Sequence, residues 1–256
     1  MSYVHDMSDE RNIEIANVGV CNYKLPMIFE SKNKYNVISE ITAGVSLGSN
    51  IKGAHLSRII EVLDKMVANK IISIDSLDYV LDELVKKLEL NNANISLSFG
   101  IVYPTVTPVS NRITYLNSDI IISGRYDDCK LEKSISLTAQ GAMLCPNSKS
   151  ISKYGAHSQK CNLKATFYGD IGKLVVEEVL KIIFSQFSAE VYGIVKSVDE
   201  KLLTEKAYEN PKFSEDLIRD TLIALKSYYN GGMICTEIQN LESIHQHNVY
   251  AKGLVK

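Results

Sequence analysis

At 256 residues, 45% hydrophobic and a formal net charge of −2, the chain has enough apolar material for one large domain or two small modules, and it carries no overall basic field of the kind nucleic acid requires. No apolar run approaches the ~20 residues of a membrane span, and Met1-Ser2-Tyr3-Val4-His5-Asp6 lacks the charged-then-apolar pattern of a signal peptide. A cytoplasmic protein is expected, with reduced thiols as the default for the five scattered cysteines at 21, 129, 145, 161 and 235.

In chain order, residues 1–10 are polar and aperiodic, which predicts a frayed start. Ile13, Ile15, Val18 and Val20 predict a strand, ended by the Leu25-Pro26 break, and Asn36 to Leu47 predicts a second. Between Ala54 and Lys70, Leu56, Ile59, Ile60, Leu63, Met66 and Val67 form one helical stripe. A second helix follows Asp75 as cap, with Leu77, Val80, Leu81, Leu84, Val85 and Leu88 on the same spacing. Ile95, Leu97, Phe99, Ile101 and Tyr103 then alternate as a half-buried strand does, and after Pro108 the stretch Ile113–Ile122 returns as another.

The second half repeats this order. Strands over Leu131–Ala139 and Cys161–Tyr168 flank a loop around Cys145; a helix over Ile171–Phe187 is followed, after an irregular link, by another over Phe213–Tyr228, and Met233–Ile238 and His245–Ala251 predict the last two strands. Strand-strand-helix-helix-strand-strand, twice, predicts an α+β protein of two modules, residues 1–128 and 129–256, each an antiparallel sheet with helices on one face. Open sheet edges call for pairing, so an oligomer closing into a barrel is expected.

The chemistry-bearing stretch is Leu144-Cys145-Pro146-Asn147-Ser148-Lys149 through Gly155-Ala156-His157-Ser158-Gln159. A thiol and an imidazole twelve residues apart suit a borderline divalent metal, although a buried cysteine and a hydrogen-bonded loop histidine would read the same way. His245 and His247, two apart on the last expected strand, would share a face. A carboxylate ligand is available in 197–211, a stretch that also reads as a solvated linker, with Asp199, Glu200 and Glu205 as the choices. Glu215 opens a helix, where the dipole favours a carboxylate. Lys52-Gly53-Ala54-His55-Leu56-Ser57-Arg58 opens another and is a candidate polyphosphate cradle, or simply a capped helix start with exposed cations.

Taken together, Lys52–Arg58, Pro108-Val109-Ser110, the Cys145 and His157 segments, Thr204-Glu205-Lys206-Ala207-Tyr208-Glu209-Asn210-Pro211-Lys212-Phe213 and Glu242-Ser243-Ile244-His245-x-His247 resemble the type IB GTP cyclohydrolases. The resemblance implies two tandem tunnelling-fold modules (ββααββ each) per subunit, a homotetramer, and conversion of GTP and water to 7,8-dihydroneopterin triphosphate and formate in folate biosynthesis. It assigns a divalent metal (zinc, manganese or iron) to Cys145, His157, Glu200 and His245, and the guanine anchor to Glu215. His55 or His247 then serves as proton donor to the opening ring, and Lys52 and Arg58 as triphosphate partners. Asn147 and Ser158 depart from the family, which usually has cysteine and asparagine there. Two rival readings are a nitrile reductase of the same fold, with Cys145 as nucleophile and no metal, and a non-catalytic purine-binding paralogue.

Overall fold

The computed structural model describes residues 7–69, 71–74, 76–128 and 130–256, apart from the side chains of 67–69 and 71–72. His5, the expected cap Asp75 and Cys129 lie outside the described residues. The chain divides into two compact units that are discontinuous in sequence: unit 1 is Met1–Phe99 with Ile121–Ile135, and unit 2 is Gly100–Ile120 with Ser136–Lys256.

Unit 1 holds β1 (Ile15–Glu30), β2 (Lys34–Leu47), α1 (Leu56–Asn69), β3 (Ile71–Ile72) and α2 (Ser76–Leu88). It also holds parts of β4 (Asn92–Val106), β5 (Ile113–Asp127) and β6 (Lys130–Leu144), the three strands that pass from one unit into the other. β1 and β2 form an antiparallel hairpin, and β2 pairs antiparallel with β4 in a register that sets Ala43 opposite Ile95. Alternation puts Val37, Ile41, Ala43 and Val45 of β2 inside. The helical stripes bring Ile59, Val62 and Leu63 of α1 and Leu77, Leu81 and Leu84 of α2 into the same buried class. Fully burying such a side chain contributes about 1.5–3 kcal/mol, so these few positions outweigh the weak intrinsic preferences of the segments.

The Leu25-Pro26 pair does not end the first strand: Pro26 sits in the ladder opposite Ile38. β3 covers β1 only at Ile28 and Phe29, so the other edge at Pro26 carries no described pairing, which is where a strand tolerates proline. The described part of the expected frayed start is also tied down, since Asp9 N donates to Asn50 O at 3.0 Å and Ser8 bridges to Ile51.

Unit 2 continues with α3 (Pro146–Ile151), β7 (Ser158–Tyr168), α4 (Val176–Phe184), α5 (Ser197–Glu209), α6 (Ser214–Tyr228), β8 (Ile234–Asn240) and β9 (Val249–Val255). β7, β8 and β9 form an antiparallel ladder, with α6 packed on β8 and β9. Leu163, Ala165, Phe167, Ile183, Leu217, Leu225 and Ile234 are all buried. The Phe167 ring meets Tyr229 edge-on at 5.2 Å, a favoured aromatic geometry.

Three expectations are corrected here. The first helix of the second half begins at Val176 rather than Ile171, because Ile171–Leu174 closes a turn (Leu174 N to Ile171 O, 3.1 Å) that contains Gly172. The last strand begins at Val249 rather than His245: β8 and β9 pair from Asn240↔Val249, which leaves 241–248 as their connection. The charged stretch 197–209, read as a linker or as a reservoir of ligands, is helix α5.

α5 owes its position to a buried carboxylate rather than to a broad apolar face. Asp199, fully buried, accepts hydrogen bonds from Val109 N (2.9 Å), Ser110 N (2.9 Å), Ser110 Oγ (2.5 Å) and Lys196 N (3.0 Å). Burial alone would push its pKa up, but the hydroxyl and the backbone donors outweigh it and hold the carboxyl well below the usual carboxylate range. Four backbone and side-chain partners thus replace the water that a charged group would otherwise keep.

Two predictions follow from this packing. A Cβ on Gly141 would lie 2.1 Å from the buried Phe187 ring, so Gly141→Ala should lower stability by about 1–3 kcal/mol in a denaturant titration; an unchanged midpoint would contradict the packing. Because the Asp199 pKa is depressed on folding, its contribution to stability is present above the unfolded carboxylate pKa of about 4 and is lost as pH falls through the folded value. The stability gap between wild type and Asp199→Asn should therefore be widest near neutral pH and shrink below about pH 4; a gap independent of pH would be the contrary result.

Candidate functional site

The strand β6 ends at Leu144, and Cys145 caps α3: its Sγ accepts from Ser148 N at 3.4 Å, with Pro146 in the first turn, where a missing N–H costs nothing. The chain then returns through Gly155, whose φ of +135° is a backbone conformation that side-chain-bearing residues rarely adopt. The return closes a clamp. Cys145 N donates to His157 O at 3.2 Å, and His157 N donates to Ser148 Oγ at 3.1 Å, so the thiol and the imidazole twelve residues apart start from hydrogen-bonded backbones.

The imidazole is oriented by its neighbours. His157 Nδ1 lies 3.0 Å from Gln159 Oε1 and 3.4 Å from Ser243 Oγ, and Gln159 Nε2 donates to Glu242 at 3.4 Å. In the tautomer that donates Nδ1–H to Gln159, Nε2 carries the lone pair, the arrangement found in metal-binding histidines. The contact with Ser243, and the bond from Leu241 N to Lys160 O at 2.9 Å, also bring the 241–248 connection to β7 and His157. His245 and His247 are both exposed on this connection, their rings stacked at 5.0 Å. They do share a side, although by ring stacking on a loop instead of by strand alternation.

Helix α5 reaches the same clamp by packing. Leu203 and Ala207 join a small cluster with Leu144, Ala142, Ala156 and Ala189, and the small side chains let the helix approach the backbone on both sides of Cys145 and His157. Lys212 N donates to Leu144 O at 3.1 Å just beyond the helix. Glu200, Leu203 and Ala207 are spaced i, i+3, i+7 and so lie on one helical stripe. Glu200 is exposed one turn before Leu203. Asp199 is committed to Val109, Ser110 and Lys196, and Glu205 pairs with Lys201 at 3.8 Å. Of the three carboxylates left open by the sequence, Glu200 alone is both uncommitted to these partners and on the stripe that faces the clamp.

Glu215 is exposed in the first turn of α6. The residue before it, Ser214, accepts from Asn240 Nδ2 at 2.7 Å in a buried contact, which ties the start of α6 to the end of β8 and hence to the histidine-bearing connection. Cys145, His157, Glu200, Glu215, His245 and His247 thus all belong to unit 2, on segments linked to one another. Among the described residues, no three His, Cys, Asp or Glu side chains gather closely enough to form a metal cluster. The structure therefore joins Cys145 to His157 directly and brings the segments of the others alongside.

Lys52, His55 and Arg58 belong to unit 1. His55 and Arg58 line a cavity of about 430 Å³ with Gly53, Asn50 and Glu89, and Lys52 is exposed outside that lining. Arg58 also donates to Lys87 O at 3.3 Å. Of the four described cysteines, all free thiols, Cys161 is buried with its pKa pushed up to about 12, which fits an inert core residue, whereas Cys145 is partly exposed. The roles of Gln159, Ser243 and Asn240 were missed in the sequence. Gln159 carried a signal, standing two residues from His157 at the start of a strand and so on its side; the other two depend on contacts between distant segments.

Comparison with known proteins gives the family of the chain. A family model described as type I GTP cyclohydrolase folE2 matches residues 1–251. The chain is 34% identical over 251 residues to the GTP cyclohydrolase FolE2 of Azoarcus sp. (strain BH72), covering 97% of this chain and 92% of that protein. It is 32% identical over 249 residues to the FolE2 of Neisseria gonorrhoeae (strain ATCC 700825 / FA 1090), covering 97% and 96%. Among solved structures it is similar to uricase from Arthrobacter globiformis, with a TM-score of 0.55 at 6% identity over 100% of this chain and 96% of that one, a likeness of fold. The architecture is the α+β tunnelling fold, and the chain belongs to the GTP cyclohydrolase IB (FolE2) family.

Proposed function

We propose that this chain is a metal-dependent GTP cyclohydrolase that converts GTP and water to 7,8-dihydroneopterin triphosphate and formate, the first step of folate biosynthesis. The observation that carries the reading is the clamp of Cys145 onto His157, 3.2 Å between backbones, in a chain of this family. Cys145, His157, Glu200 and His245 are assigned as ligands of one divalent ion, zinc, manganese or iron. The residues fit such an ion: a partly exposed thiol, an imidazole whose Nδ1 is engaged so that Nε2 is presented, and an exposed carboxylate and histidine on segments tied to that pair. When bound, the ion supplies Lewis acidity, activating water for attack at C8 of guanine and for the later release of formate.

The rest of the work falls to the chain's own groups. Glu215 accepts hydrogen bonds from guanine N1–H and the N2 amino group, donors that adenine lacks in that pattern, which selects GTP over ATP. An imidazole outside the ligand set, His247 or His55, delivers a proton to the ring nitrogen as the imidazole ring opens. Lys52 and Arg58 neutralise the triphosphate, offered from a neighbouring copy in a homotetramer.

A homotetramer closing as a barrel is supported by the strand order, which leaves β9 at one end of the ladder with Tyr250 and Leu254 exposed on it. Tandem modules 1–128 and 129–256 are proposed as the duplicated units, their junction falling beside Asp128, whose φ of 41° marks a tight turn. The free described thiols support a cytoplasmic, reducing setting. No helix among the described residues is long and apolar enough to cross a membrane.

Purified protein supplied with Mn²⁺ should release one formate per GTP. A chelator should stop the release and re-added metal restore it. Cys145→Ala should lower kcat/KM by about a hundredfold or more, as loss of one ligand from such a set implies. Absence of formate from the wild type, or full activity in Cys145→Ala, would overturn the reading and reopen the cysteine-nucleophile or non-catalytic alternatives.

A further inference from the structure

We propose that Asp199 is a positioning residue for this site: by holding the turn Pro108-Val109-Ser110 it fixes the first turn of α5 and with it the place of Glu200. The proposal rests on the reading of Glu200 as a metal ligand. Both carboxylate oxygens are occupied. Oδ1 accepts from the amides of Val109 and Ser110, each at 2.9 Å, and Oδ2 accepts from Ser110 Oγ at 2.5 Å and Lys196 N at 3.0 Å. A carboxylate with these partners and no exposed surface is not available to a metal; what it controls is geometry.

The turn it holds is itself rigid. Thr107 N donates to Arg112 O at 2.9 Å, Arg112 N donates to Thr107 Oγ1 at 2.9 Å, and Thr107 Oγ1 lies 2.8 Å from Ser110 Oγ, with Thr107 buried. Ser110 therefore transmits a closed hairpin turn to the helix through its hydroxyl. Little else fixes this end of α5: its buried residues are Asp199 and Ala207 alone, so apolar packing begins with partly buried Leu203 and takes hold two turns after Glu200. Charged helix starts are commonly solvated, and sinking one into a hairpin turn makes sense where the following side chain must be held to within about 0.5 Å of a working geometry.

The test is a titration of Mn²⁺ into the full chain, as wild type, Asp199→Asn, Glu200→Gln, Ser110→Ala, Ser110→Thr and Asp199→Asn/Glu200→Gln, with circular dichroism to establish that each is folded. Asp199→Asn should weaken Mn²⁺ binding about 10–100-fold, the usual range for partners that orient metal ligands, and lower kcat while moving the KM for GTP less than threefold. Ser110→Ala should shift affinity in the same direction by less, and Ser110→Thr, which keeps the hydroxyl, should restore it. With Glu200→Gln already in place, adding Asp199→Asn should cost little more, since Asp199 acts through that one ligand. Mn²⁺ affinities unchanged in Asp199→Asn and Ser110→Ala, even with a lowered melting temperature, would overturn the proposal, as would fully additive losses in the double variant. If Asp199→Asn does not fold, an unchanged affinity in Ser110→Ala is enough to overturn it. A wild type that takes up neither Mn²⁺ nor, in the same titration, Zn²⁺ or Fe²⁺ would instead remove the metal reading, and this proposal with it.

Discussion

The bond from Cys145 N to His157 O is the constraint on which the rest of the site depends. Two soft donors separated by twelve residues have no reason to meet in an unconstrained loop, and the entropy of bringing them together would be charged against any ligand they bind. A short helix that starts on a proline, a glycine with positive φ and a serine hydroxyl that accepts the His157 amide settle that entropy during folding. Everything else is then arranged around a fixed pair.

Three further segments reach the pair by different physical means. The 241–248 connection arrives by polar contact, through Ser243 and Glu242 onto His157 and Gln159. Helix α5 arrives by close packing of small residues, Ala207 against Leu144 and Ala156. The start of α6 arrives through the buried Asn240 to Ser214 bond. The segments that carry Cys145, His157, Glu200 and Glu215 are thus held by separate interactions, so damage to one should not displace the others.

Much of this could be read from the residues alone. The helical stripes of α1 and α2 and the alternation of β2 and β4 follow from period and burial, and the segments carrying Cys145, His157 and His245, with Thr204–Phe213, could be recognised as resembling one family's pattern. Other features could not. Pro26 looks like a strand breaker unless the pairing at the edge of β1 is known. α5 has almost no apolar periodicity, because its first turn is secured by Asp199 on a hairpin turn about ninety residues away in sequence. The histidines at 245 and 247 alternate like strand residues, yet the register of β8 with β9 assigns them to the connection. In each case the missing information was a long-range partner, which periodicity does not carry.

The central claim is that one sulfur, contributed by Cys145, shares a cation with imidazole and carboxylate. X-ray absorption spectroscopy of the zinc-loaded chain tests it directly. The account predicts a single sulfur scatterer at about 2.3 Å with the remaining ligands nitrogen or oxygen at about 2.0–2.2 Å, and loss of the sulfur shell in Cys145→Ser. A first shell with no sulfur, or one unaltered by that substitution, would contradict it.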